Sequence, residues 1–362
     1  MANDARERFT LLARTRTYLT SSPILLLERF GLLLALGAVV LWFSLSGIGE
    51  LFVSSANITN ILVGGAVVGI VALAMLPPLI GGHFDLSVAA VASVSNITVA
   101  SAIGKHGAPI LVGVLVGVLI GALLGAVTGF LVAKMRLNAF VVTFGVYILL
   151  NGLSTWYTEG AQIVAGIPPS LGEWSGNGFL GLPRPFVALV IVAAVLWYAL
   201  MQIPWGRHLE AIGSNEAAAR LVGIHVDRAV WMAFVASGAL GGIAGALLTT
   251  ILGAGDPTAG LSYLFPAFAA VFLGATTIRP GRYNVVGTVI GVYFVGIAVS
   301  GLSLRGADTW VQPTFNGAAL ILAVALSTYL ARVRERRESR AVTSSEKVPT
   351  PARESSHRGV TA

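Results

Sequence analysis

The feature that most constrains this chain is a succession of about ten apolar runs, each roughly 20 residues long, the length a helix needs to cross a bilayer. They lie near 30–48, 58–79, 84–103, 109–133, 138–156, 185–203, 230–253, 261–278, 284–303 and 311–331. A segment in lipid must satisfy its backbone N–H and C=O groups internally, so these runs predict helices. Barrel strands would alternate in polarity, and these do not. The expected fold is all-α and polytopic, a transmembrane domain over 30–331. A basic N-terminal segment, 1–29, precedes it and a polar, disordered tail, 332–362, follows. Only 11% of the 362 residues are charged, against roughly 25% in an ordinary soluble domain.

The charges test the count. Lys and Arg accumulate on the cytoplasmic side of short loops. With ten spans and both termini cytoplasmic, every basic residue except Lys105, Arg184 and Arg305 falls inside. An odd number of spans before Lys134 would scatter the rest. The basic stretch before the first run has no small-residue cleavage pattern, so that run is expected to stay in the membrane. The net charge of +7 lies in loops and tails. It reads as topology signal and lipid-headgroup contact, with no nucleic-acid partner.

Two regions interrupt the apolar pattern. Pro77-Pro78 followed by Gly81, Gly82, His83, Phe84 and Asp85 predicts one broken or re-entrant helix near 77–87, because proline removes backbone donors and glycine relaxes the helix. The stretch 157–184, rich in Gly, Pro and Ser, reads as the longest external loop. Gly113, Gly117, Gly121, Gly125 and Gly129 form a smooth stripe on one helix, suited to close packing within the subunit.

Asp85 sits at a span boundary. It is either an N-cap for a helix beginning at Leu86 or a functional carboxylate at membrane depth. His83 has no second histidine or carboxylate at metal spacing, so no metal site is expected. The chain has no cysteine and no nucleotide-binding Gly-Lys-Ser/Thr loop, which places any ATP and magnesium in a separate chain. No nucleophile–base cluster points to an enzyme. Phe84, Ser87, Asn96, Thr143, Tyr147, Asn151 and Phe265 offer the hydroxyls, amides and flat apolar faces that could line a pathway for a polar solute.

The segment from Trp205 to Arg228 is charged yet helix-prone. Asn215 or Ser214 can cap a short helix with Glu216 in its first turn and Gly223 at its end. A short amphipathic helix across a cytoplasmic loop suits a partner's groove.

The string GSNEAAARLVGIHVDR, followed by SGALGGIAGALL at 237–248, resembles the conserved loop of permeases that import ribose, xylose, arabinose and related sugars. GGHFDLSV at 81–88 is similar to the family's Gly-x-x-Asp-Leu-Ser signature, and VFLGATTIRPGRYNVVGTVIG at 271–291 resembles its late Gly-rich segment. The resemblance spans roughly 50–330. It implies a multi-pass permease of the bacterial cytoplasmic membrane, working with a cytoplasmic ABC ATPase, an extracytoplasmic sugar-binding protein and a second permease copy or sibling. It further implies that Glu216, Ala217, Ala218, Arg220, Leu221, Gly223 and Ile224 form the coupling contact with the ATPase. His83, Phe84 and Ala89 depart from the signature, which bears on the substrate rather than on transport. The alternatives are a branched-chain amino-acid type permease, related by architecture, and an ion-coupled carrier, which would need buried acids or broken-helix ion sites.

Overall fold

Helix forms wherever the sequence is apolar. The computed structural model describes residues 23–176, 178–179, 181–325 and 329. The expected N-terminal segment is therefore described only from Pro23, and the tail 332–362 lies outside the described residues. The helices are α1 (Pro23–Ser44), α2 (Gly49–Phe52), α3 (Ser55–Ile80), α4 (Ser87–Gly104), α5 (Ile110–Gly129), α6 (Ala139–Thr158), α7 (Pro169–Gly176), α8 (Arg184–Met201), α9 (Pro204–Ser214), α10 (Glu216–Leu221), α11 (Val226–Leu252), α12 (Leu261–Gly274), α13 (Val285–Leu304) and α14 (Val311–Ala325). A single π-turn, Phe130–Lys134, extends α5.

Seven of these, counting α5 with its π-turn, are long and apolar enough to cross a membrane: α3, α4, α5, α6, α8, α11 and α13. The other three predicted runs correspond to shorter apolar helices, Arg29–Ser44 within α1, α12 and α14. At 1.5 Å per residue, the 14 residues of α12 reach about 21 Å, less than the roughly 30 Å of a bilayer core. An all-α polytopic architecture is thus present.

The inner layer is α3, α4, α11 and α12, whose buried side chains include Ile70, Leu73, Met75, Phe234, Leu248 and Val271. Helices α5, α6 and α8 turn large apolar side chains outward, among them Leu119, Leu123, Phe144, Ile148, Ile191 and Val195. That is the face a bilayer would cover.

The glycine stripe explains how α5 joins the inner layer. A Cβ at Gly113 or Gly117 would strike Ile103, Val99 and Ser95 of α4, and one at Gly121 would come within 2.5 Å of the Gly238 carbonyl of α11. Gly125 meets Gly238 and the Phe234 carbonyl in the same way. Backbones approach here to a distance that no larger residue permits.

The break expected near 77–87 is present, but it lies after the two prolines. Pro77 and Pro78 do not break α3, which continues through both to Ile80 because its partners hold it on all sides. The interruption is the non-helical linker 81–86 between two complete helices. The 157–184 segment is the stretch expected as the longest external loop. It carries α7 and a two-stranded antiparallel hairpin, β1 (Gly178–Phe179) with β2 (Leu182–Pro183), and Ile163 forms a backbone bridge with Gly255.

Candidate functional site

The linker is held from both sides. Gly82, at φ +83°, turns the chain out of α3, and the His83 N–H donates to the Pro78 carbonyl at 2.9 Å. Asp85 is buried. Its Oδ1 accepts from the Ser87 N–H at 2.9 Å and the Ser87 hydroxyl at 2.6 Å, a two-residue side-chain turn leading into α4, whose cap position is held by Leu86. Its Oδ2 accepts from the Ser237 hydroxyl of α11 at 2.7 Å. The linker is therefore fastened both to α4 and to the middle of α11. Ser237 opens the string at 237–248 singled out in the sequence, but nothing there pointed to a partner in the linker.

Phe84 projects the other way. Its ring is 43% exposed and lies 6.4 Å and 6.3 Å from the Phe268 and Phe272 rings of α12. With Phe140, Phe265 and Tyr283 these rings line a cavity of about 640 Å³. Thr143, fully buried, donates to the Phe84 carbonyl from behind. Of the expected lining residues, only Phe84 and Phe265 reach this cavity. Asn96 is a structural crosslink: its amide donates to Thr249 and the Ala254 carbonyl, and its oxygen accepts from the Asp256 N–H. Tyr147 stacks on Phe144, and neither it nor Asn151 lines this cavity. Phe140, Phe268, Phe272 and Tyr283 were missed. The spacing of Phe265, Phe268 and Phe272 at three and four residues was the available signal.

At the end of the bundle where the linker lies, α9, α10 and the 275–284 segment form a polar platform. Asn215 caps α10, its Oδ1 accepting from the Ala218 N–H at 3.0 Å. Glu216 in the first turn and Arg220 in the last complement the helix dipole. Arg220 donates to Asp227 at 2.6 Å and to Glu216 at 2.9 Å, tying α10 to the first turn of α11. The Asp227 contact first, then Glu216, makes the guanidinium still harder to deprotonate. Gly223, at φ +86°, ends the helical turn. Ala217 and Ala218 are exposed, Ile224 is half-buried, and Leu221 and Val222 stand out at 89% and 76% exposure.

The platform extends beyond the helix expected to make contact. Glu210 of α9 faces Arg282 at 3.5 Å and Arg279 at 4.0 Å. Ile278 holds a left-handed backbone, φ +61°, unusual for a β-branched residue. Its N–H and the Thr277 hydroxyl both donate to the Arg29 carbonyl of α1, at 3.0 Å and 2.7 Å. The linker touches the platform too. A Cβ on Gly213 would collide with the Ile80 carbonyl, so only glycine lets α9 pack there. Burial lowers the pKa of His83 below the ordinary histidine value, and the nearby Glu216 carboxylate acts against that shift.

The chain is similar to transport proteins along most of its length. It is 39% identical to the ribose import permease protein RbsC of Bacillus subtilis over 293 residues, 80% of this chain and 90% of the relative. It is 34% identical to the protein of the same name in Escherichia coli K12, over 85% of this chain and 95% of the relative. It is 30% identical to the fructose import permease protein FrcC of Rhizobium meliloti, over 91% and 92%. Residues 57–324, which contain the linker, the aromatic cavity and the platform, match the family described as branched-chain amino acid transport system / permease component, and the chain belongs to that family.

Proposed function

We propose that this chain is the membrane-spanning permease of an ATP-driven importer for a monosaccharide or a similar small polyol. A binding protein on the outer face delivers the solute, and a separate cytoplasmic ATPase energises passage by gripping the platform at Glu216–Ile224. The reading includes ten spans in the bacterial cytoplasmic membrane, with α1, α12 and α14 completing the set, both termini inside, and a second permease copy or sibling across the pathway.

The observation that carries the reading is the platform itself. An apolar tip, Leu221 and Val222, is presented to solvent on a capped helix that Arg220 anchors to α11. An exposed apolar tip on a braced helix suits insertion into a partner. The ring-lined cavity adds the substrate class, since flat aromatic faces suit the C–H faces of a sugar. The ribose and fructose permeases among the relatives point the same way.

The test is reconstitution with the cognate ATPase and binding protein, identified by co-purification with this chain. Ala218→Trp and Gly223→Leu should detach the ATPase or abolish binding-protein-stimulated hydrolysis while the membrane domain still folds. Wild-type co-purification and wild-type stimulation in both variants, and in substitutions at Ala217 and Arg220, would sink the assignment.

A further inference from the structure

A second cavity, of about 490 Å³, opens between α4, α5 and α6 and shares no residue with the aromatic one. Its walls are mainly aliphatic, including Ile97, Val116, Ile120, Leu124 and Leu153. One end is polar. The Ser101 and Tyr157 hydroxyls lie 2.6 Å apart there, and the buried Ser154 hydroxyl has no hydrogen-bond partner among the described residues. An unsatisfied buried hydroxyl costs about 1–3 kcal/mol, so Ser154 is placed to meet an acceptor from outside the chain.

The mouth of this cavity is basic. His106 lines it, and the exposed Lys105 holds its ammonium 4.9 Å over the Tyr157 ring, with no carboxylate partner among the described residues. Both follow Ser101 by about one helical turn at the end of α4. Charge at the rim, a hydroxyl just beneath it and aliphatic walls below follow the order of phosphate, ester and acyl chain in a phospholipid. A sugar fits poorly, since away from the polar end its hydroxyls would be buried against aliphatic walls that offer no hydrogen bond.

We propose that this cavity binds one anionic phospholipid, with its phosphate on Lys105 and His106, an ester carbonyl accepting from Ser154, and an acyl chain along the walls. The site is independent of the ATPase contact, so its test reads lipid on the purified permease alone.

The full-length protein is equilibrated in micelles containing phosphatidylglycerol and phosphatidylcholine of the same acyl chains, and retained lipid is measured by native mass spectrometry. Wild type should keep one phosphatidylglycerol per chain in preference to phosphatidylcholine. Lys105→Glu, in an exposed turn, should lower that retention roughly five-fold or more, a loss of about 1 kcal/mol. Ala102→Phe, which fills the cavity, should remove it. Ser154→Ala should weaken retention while leaving thermal stability in lipid-free detergent unchanged or higher, the opposite of what loss of a structural hydroxyl does. Equal retention of the two lipids overturns the proposal. So does unchanged retention in Lys105→Glu and Ser154→Ala, or displacement of the lipid by D-ribose.

Discussion

The Ser237 hydroxyl donates to Oδ2 of Asp85 at 2.7 Å, so the middle of α11 and the 81–86 linker form one buried unit. Asparagine at position 85 keeps an oxygen for the Ser87 N–H and can turn its amide toward the Ser237 hydroxyl, which also accepts. Asp85→Asn should therefore retain most folding yield and uptake. Asp85→Leu strands the Ser87 and Ser237 donors and should cost about 1–3 kcal/mol. Thermal unfolding in detergent, alongside uptake in vesicles, checks both. Loss of transport in a fully folded Asn variant would mean that the charge itself is used.

The contact of Gly121 with Gly238 predicts a sharp contrast among glycines. Gly121→Val or Gly125→Leu must separate α5 from α11, and overpacking of this kind costs about 1–3 kcal/mol or more. Gly145 on α6 has nothing near its Cβ position, so Gly145→Ala should be neutral or gain about 0.5–1 kcal/mol of helix stability. Unfolding midpoints of the three variants decide it. Equal effects would mean that the stripe does not hold the helices.

Topology can be tested cleanly because the chain has no cysteine of its own. A cysteine at the exposed Ser214, or at Ser345 in the tail outside the described residues, should resist an impermeant reagent in intact cells. One at the exposed Glu159 should react. The reverse pattern would invert the proposed orientation.

Asp256 gives a pH prediction. Burial alone would raise its pKa, but the Thr258 N–H, the Thr258 hydroxyl and the Gln162 amide outweigh it and hold the carboxyl below its ordinary value. A lowered folded pKa contributes stability that is full above the ordinary aspartate range and is lost as pH falls through the folded value. Hydrogen-exchange protection at residues 161–165, joined to this turn by the Ile163–Gly255 bridge, should therefore fall only on the acid side once each rate is divided by the intrinsic rate at that pH. Asp256→Asn should show the same protection factor across that window. A wild-type protection factor that stays flat through it would overturn the tie.

What could be read from the sequence follows from length scales. Apolar runs, glycine spacing and the Asn215 cap are local or periodic; the stripe and the cap appear where expected, and seven of the ten runs form helices long enough to span. The Gly223 stop is local as well, and the structure gives it φ +86°. Residues that act through distant partners were not legible. Asn96 looked like a polar group facing a pathway, yet its partners lie more than 150 positions away on α11 and the turn beyond it. The aromatic cavity draws on the linker, α6, α12 and the turn holding Tyr283, so only its α12 members, Phe265, Phe268 and Phe272, share a spacing. Pro77 and Pro78 misled because burial on every side outweighed their missing donors.

The interlocked glycines leave α5 with two masters. Its outer face must match the thickness of the surrounding lipid, while its inner face is keyed to α11 without clearance for sliding. A helix free on one side answers a thinner or thicker membrane by tilting, at a fraction of a kcal/mol per Å. Here a tilt of α5 drags α11, whose first turn carries Asp227, the anchor of the α10 tip. Membrane composition is thus geared to the α10 platform, and if the proposed coupling holds, transport rates in vesicles of graded chain length should vary in step with the retention of the ATPase in the same vesicles.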